Sequence, residues 1–225
     1  VARGEYTRAA VHPRPAFDPE NRVSHPTIRT ILGASAPDSL DPFSTALLVI
    51  DFQEEYFSGK LPIPDGTRAL NNARRLIAFA DRHKLPVFHV WHVSPSGAPV
   101  FAHDSATVFC HKDLQPAAHH KVVKKNQISV FQGTELHHEL QISRIKTLII
   151  SGLMTHACVS GAARDAVPLG YNVIVADDAS ATRDIDVPGG GTIPHDVLHK
   201  SALVTIADTF GAVMGTNAIV NLNVR

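Results

Sequence analysis

The 225-residue sequence predicts one α/β domain, a doubly wound, mostly parallel six-stranded sheet with helices on both faces in three α/β/α layers. Three observations carry that expectation. Apolar runs of strand length recur, and they are continuous rather than alternating, as in strands buried on both faces. Segments with apolar residues at helical spacing separate them. The connections are short, no internal repeat interrupts the order, and the length, about one and a half average domains, suits a single α/β unit.

Residues 1–43 carry Pro13, Pro15, Pro19, Pro26, Pro37 and Pro42 with scattered arginines and no sustained apolar period. They read as an N-terminal arm, with a role in oligomer contacts or as a disordered leader. The domain proper is expected over 44–215, and a C-terminal tail over 216–225. Its first strand is TALLVIDFQ from Thr45, with Asp51 at the carboxyl end. After a turn at Pro62, Pro64 and Gly66, Thr67 is placed to cap a helix that presents Leu70, Ala73, Leu76, Ile77 and Ala80. Pro86 blocks its continuation and opens the second strand, PVFHVWHV. A loop rich in His, Pro and Ser runs from Ser94 to His120. A short strand follows at 122–125, then a short helix from Glu135 to Leu140 and a strand from Lys146 to Ser151. GLMTHACVSGAARDAV comes next, and its small residues Ala157, Gly161, Ala162, Ala163 and Ala166 let a helix lie close to a sheet. A strand from Tyr171 to Ala176, a helix from His195 to Ala207 and a strand from Ala212 to Met214 complete the pattern.

Composition narrows the function. Lys+Arg 21 against Asp+Glu 21 leaves no basic excess for phosphates, so nucleic acid is not an expected partner. No apolar run approaches the roughly 20 residues of a membrane span, and no secretory signal pattern opens the sequence. Two cysteines, Cys110 and Cys158, cannot build a disulfide framework, which points to a reducing, cytoplasmic setting.

Ligands of such sheets bind outside the carboxyl ends of the strands. Those ends carry Asp51, then Trp91 and His92, then Lys125 or the residues just after it, then Gly152 to Cys158. An acid, a base and a thiol therefore converge on one edge. Cys158 falls in the first turn of a helix, where the dipole favours a thiolate; an ammonium would lower its pKa further, and a carboxylate could take its proton. A cysteine beside Ala and Val is equally a small core residue. A carboxylate that ends an apolar run needs a partner for its buried charge.

Three separated stretches, ALLVIDFQEEYF, KNQISVFQGTEL and LIISGLMTHACVSGAARDAVPLGYNVIVADDASATRD, resemble the cysteine-hydrolase branch of the isochorismatase-like superfamily. The resemblance implies that Asp51, Lys125 and Cys158 form the family's catalytic triad. Lys125 is preferred to Lys124 because the family's lysine precedes a Ser-x-Phe element, here Ser129 and Phe131, by four residues. It also implies a cis peptide between Leu153 and Met154, an oxyanion hole from the N–H groups of Met154 and Cys158, and a pocket lined by Tyr56. Trp91, Phe131, Leu153 and His156 are further pocket candidates, while Gln53 is expected to orient its loop.

The departures matter as much. Nicotinamidases of the superfamily bind a metal through an Asp-x-His element after the second strand, where this sequence has Trp91 and Val93. No metal and no cofactor are expected. Among the 14 histidines, His195 and His199 lie four apart in HDVLH and are expected on a solvated helix face. The pairs His119–His120 and His137–His138 are expected to diverge on the surface, while His89, His92 and His103 lie nearer the cleft. Cys110 is expected to be structural, and the GGG at 189–191 a connection rather than a phosphate cradle.

The expected activity is hydrolysis of an amide-type C–N bond of a small molecule through a thioester, by a homodimer or homotetramer. The alternatives are vinyl ether hydrolysis of the isochorismatase type and a catalytically silent oligomeric scaffold of the same fold.

Overall fold

The computed structural model describes residues 24–225, so the expectation for the first part of the arm lies outside the described residues. The chain runs α1 (Ile28–Ile31), β1 (Ser39–Leu40), β2 (Thr45–Ile50), α2 (Gly66–Arg82), β3 (Val87–His92), β4 (Lys121–Lys125), α3 (Leu136–Ile142) and β5 (Thr147–Leu153). It continues through α4 (Ser160–Ala166), β6 (Asn172–Ala181), β7 (Ile185–Asp186), β8 (Thr192–Ile193), α5 (His195–Thr209), β9 (Ala212–Met214), α6 (Thr216–Val220) and β10 (Asn223–Val224).

β2 is apolar at every position because both of its faces are covered. Leu47 and Val49 pack with Leu70, Ala73, Leu76 and Phe79 of α2. Ala46, Leu48 and Ile50 pack on the other face with Leu136 and Leu140 of α3, Ala162 and Ala163 of α4, and Ile206 of α5. Ala162, Ala163 and Ala166 of α4 are buried completely, as close approach of that helix to the sheet requires.

The six-stranded sheet has the order β4-β3-β2-β5-β6-β9, and every neighbouring pair in it is parallel. From β2 the chain moves outward to β3 and β4, then returns to β5 on the other side of β2. The strand order therefore reverses between β2 and β5, and the crevice at their carboxyl ends is the topological switch point. Gly152 shapes it. It pairs with Ile50, has φ 156°, and a Cβ there would stand 2.5 Å from the Ile50 carbonyl oxygen.

Several boundaries differ from those the sequence suggests. α2 begins at Gly66, and Thr67 lies inside its first turn instead of capping it. β6 runs on to Ala181, which carries Arg183 to the same edge as the switch point. The segment expected as a tail holds α6 and β10, and β10 pairs in parallel with β1, while the Ile28 N–H donates to Asp208 Oδ1 on α5. These contacts dock the described part of the arm onto the domain.

Candidate active site

Asp51, Lys125 and Cys158 meet at the switch point. Asp51 follows β2 directly and adopts φ 55°, a conformation uncommon outside glycine that a short polar side chain tolerates best. Its N–H donates to Val90 O at 2.8 Å, and its O accepts from Gln53 N–H at 2.8 Å, so the backbone is held on both sides. Lys125 closes β4 and reaches across the end of β3. Its Nζ lies 2.8 Å from Asp51 Oδ2, with both side chains fully buried, and donates to Cys158 Sγ at 3.3 Å. Cys158 sits in a single π-helical turn, Thr155–Val159, after the cis peptide between Leu153 and Met154.

A third contact of Lys125 is one the sequence did not single out as part of this cluster. Nζ lies 3.0 Å from His92 Nδ1, which must accept, because the ammonium has only protons to offer. Burial, followed by the Lys125 charge, holds the His92 imidazole below its ordinary pKa and keeps that nitrogen unprotonated. Gln53 pins the residue: its Nε2 donates to His92 O at 2.8 Å and its Oε1 accepts from His92 N–H at 2.8 Å. Gln53 thus orients the end of β3. Lys124, by contrast, points to solvent.

The electrostatics correct one expectation. Instead of being lowered at a helix start, the Cys158 thiol is pushed well up, first by burial and then by the Asp51 carboxylate, with Lys125 pulling in the opposite direction. Burial draws the Lys125 ammonium down, but Asp51 and Cys158 outweigh it and the net direction is up. The resting cluster is therefore a thiol beside a carboxylate–ammonium pair. Asp51 Oδ1 is buried with no hydrogen-bond partner among the described residues, and Oδ2 meets Nζ outside hydrogen-bonding angles. A free carboxylate lone pair next to a thiol is a base in waiting.

The other candidates divide. Tyr56 is buried against Phe101, and burial followed by the charges of Asp51 and Cys158 drives its phenol well above the usual value, which places it beside the cluster. Leu153 is fully buried and Met154 packs beside it. His156 Nδ1 lies 2.6 Å from Thr182 Oγ1, and burial followed by Arg183 keeps the imidazole below its ordinary pKa. Trp91 packs against the apolar cluster on the α2 side. Phe131 is not brought to the site. It stacks on Tyr171 at the amino end of β6, because the chain has already turned back toward α3.

Arg183 was missed. Its charge acts on both Tyr56 and His156, its Nη1 donates to Asp184 O at 3.1 Å, and its Nε is buried without a partner among the described residues. Only the position of Arg183 two residues past the end of β6 could have drawn attention to it. His199 does not lie on a solvated face: its Nδ1 is 2.8 Å from Thr155 Oγ1, and His195 Nδ1 is 2.7 Å from Asp184 Oδ1. Cys110 is buried, its Sγ donates to Leu114 O at 3.3 Å, and burial pushes its thiol up to about 12. It is an inert core residue.

Residues 45–218 match the Isochorismatase domain family. A secreted isochorismatase effector from Verticillium dahliae is 34% identical over 193 residues, 86% of this chain and 98% of that protein. A streptothricin hydrolase from Streptomyces noursei is 30% identical over 165 residues, 72% of this chain and 59% of that protein. The crystal structure of an isochorismatase from Pseudomonas putida superposes with a TM-score of 0.78 at 30% identity, covering 87% of this chain and 99% of that one. With the family matched across the whole sheet, the chain belongs to the isochorismatase-like hydrolases.

Proposed function

We propose that the protein hydrolyses an amide-type C–N bond of a small molecule, with Cys158 as nucleophile. The observation that carries this reading is the burial together of a thiol, a carboxylate with a free lone pair and an ammonium, the ammonium 2.8 Å from the carboxylate and 3.3 Å from the sulfur. Asp51 takes the thiol proton as Sγ attacks the carbonyl carbon. The oxygen that becomes negative is met by the N–H groups of Met154 and Cys158. Asp51 then returns the proton to the departing nitrogen, ammonia or an amine leaves, and water, deprotonated by Asp51, cleaves the thioester. Lys125 holds the carboxylate and the sulfur in register and balances the charge that moves between them. Because the thiol is pushed up at rest, the proton must pass to Asp51 during attack rather than before it.

Arg183 narrows the substrate class. A half-buried guanidinium whose Nε lacks a partner is matched by a carboxylate or a strongly accepting carbonyl, which favours amides and ureido compounds carrying an acid group. The streptothricin hydrolase likeness supports a hydrolytic reaction on a small molecule, and the free thiols suit a reducing compartment such as the cytoplasm. Val197 and Val204 on α5, with Ile31 and Leu32 at the end of α1, expose apolar surface suited to a homodimer or homotetramer.

A second reading, vinyl ether hydrolysis of isochorismate, is favoured by the likeness to the Verticillium effector. It needs Asp51 as proton donor and does not need the thiol. A panel of primary amides, ureido acids and isochorismate, scored by ammonia release and by product formation, separates the two. Ammonia from one of the first two classes supports the C–N reading, and turnover of isochorismate alone supports the second. No turnover of any member would support the silent scaffold.

A further inference from the structure

The histidines outside the cleft were expected to diverge, yet two adjacent ones converge on a single carboxylate. Asp81 Oδ1, in the last turn of α2, lies 2.9 Å from His119 Nε2 and 2.9 Å from His120 Nε2. One ligand atom from each of the three residues falls within 4.8 Å of the others. We propose that Asp81, His119 and His120 bind a divalent transition metal, zinc in particular, which clamps the C-terminal turn of α2 to the start of edge strand β4.

The donor set is two imidazoles and a carboxylate, and with one water it fills a tetrahedral shell. Metal–ligand bonds of about 2.0–2.2 Å separate tetrahedral ligands by roughly 3.4 Å, so Asp81 Oδ1 already stands about half an ångström from its place relative to each imidazole. Asp81 sits where the helix carbonyls leave partial negative charge, which favours a cation. The His120 side chain is 3% exposed and that of His119 68% exposed, leaving an open side for water and for entry of the ion.

A second layer is already present. His89, buried on β3, places its Nε2 3.2 Å from His120 Nδ1 with the two rings stacked. That contact leaves His89 Nε2 positioned to accept the Nδ1 proton of a metal-bound His120. Without an ion, the Ala117 N–H points at His120 Nδ1 from 3.1 Å, so His120 carries its proton on Nε2 and donates to Asp81. Metal at Nε2 therefore requires the other tautomer: the one ring proton moves to Nδ1, the ring turns away from the Ala117 N–H, and His89 Nε2 accepts that proton. The site is separate from the Asp51 cluster, since His89 and His92 are three residues, roughly 10 Å, apart along β3.

The test uses the full chain, stripped with chelator and titrated with Co2+ alone. Expected is a tetrahedral ligand-field spectrum that saturates at one ion per chain and is displaced by Zn2+, with Zn2+ raising the Tm. His119→Ala, at an exposed position that leaves the fold undisturbed, and Asp81→Asn should each lose the spectrum. Each should also weaken binding beyond the roughly 10–100-fold that outer-layer changes cost. Zn2+ should leave the Tm of His119→Ala unchanged. A wild-type chain with no tetrahedral spectrum overturns the proposal, and so does a spectrum that persists in either variant.

Discussion

Lys125 meets Asp51 across an intervening strand: it lies at the end of β4, the carboxylate follows β2, and the two groups stand 2.8 Å apart over the end of β3. That span explains why the ammonium also touches His92 and Cys158. A charge pair removed from water would be costly unless its remaining protons and lone pairs were used. Here Nζ uses His92 Nδ1 and Cys158 Sγ, and Asp51 keeps Oδ1 free.

The opposing charges make a signed prediction about the thiol. Asp51 raises the Cys158 pKa and Lys125 lowers it. Alkylation by iodoacetamide, followed against pH, should shift to higher pH in Lys125→Ala and to lower pH in Asp51→Asn. Turnover should be lost in both. A midpoint that rises in Asp51→Asn would contradict the assignment of its carboxylate. Mass mapping of the labelled peptides separates Cys158 from Cys110, since both thiols are free and buried.

His92 is predicted to position Lys125. Replacing it with Phe leaves one N–H of a buried ammonium without an acceptor, an effect of about 1–3 kcal/mol. With the strand end still pinned through Gln53, kcat should fall about tenfold or more with KM little changed, and His92→Asn, which restores an acceptor, should recover part of the loss. Equal loss in both variants would mean that the ring acts only by packing.

Gly152→Ala would drive a Cβ into the Ile50 carbonyl, 2.5 Å away, at a backbone angle other residues rarely adopt. A cost of about 2–4 kcal/mol is expected from overpacking and strain. Urea denaturation should read it as a lower midpoint, and an unchanged midpoint would show that β2 and β5 can separate without loss.

Acid should destabilise the fold through His89. Its folded pKa of about 4 lies below the ordinary 6.5, so the unfolded chain binds the proton first. The stabilisation is complete above 6.5 and is lost progressively as pH falls from 6.5 to about 4, amounting to on the order of 3 kcal/mol. His92, His156 and His199, also held down by burial, act in the same direction. Urea curves between pH 7 and 4.5 should show the decline, and it should be shallower in His89→Gln.

The sheet and the three central residues were legible because each strand end carries its own signal. An apolar run stops at Asp51, another at Lys125, and a strand, a turn and small residues frame Cys158. His92 was visible only as a histidine near the cleft, since its contact with Lys125 depends on the register of β3 against β4. Asp81 and His120 are separated by 39 residues, and nothing local in either stretch foretells their meeting. Arg183 was hidden for the same reason: the length of β6 decides where it ends. The direction of the thiol shift was misread because helix position and lysine proximity are readable from sequence, whereas depth of burial is not.

Comparison of Cys158→Ser with the wild type bears most directly on the proposed nucleophile. Ammonia release should be measured for both across the panel of primary amides and ureido acids. The account predicts that the wild type releases ammonia from at least one member and that Cys158→Ser, folded to the same extent, loses more than about 1,000-fold of that rate. Release by Cys158→Ser at a rate near that of the wild type would contradict it.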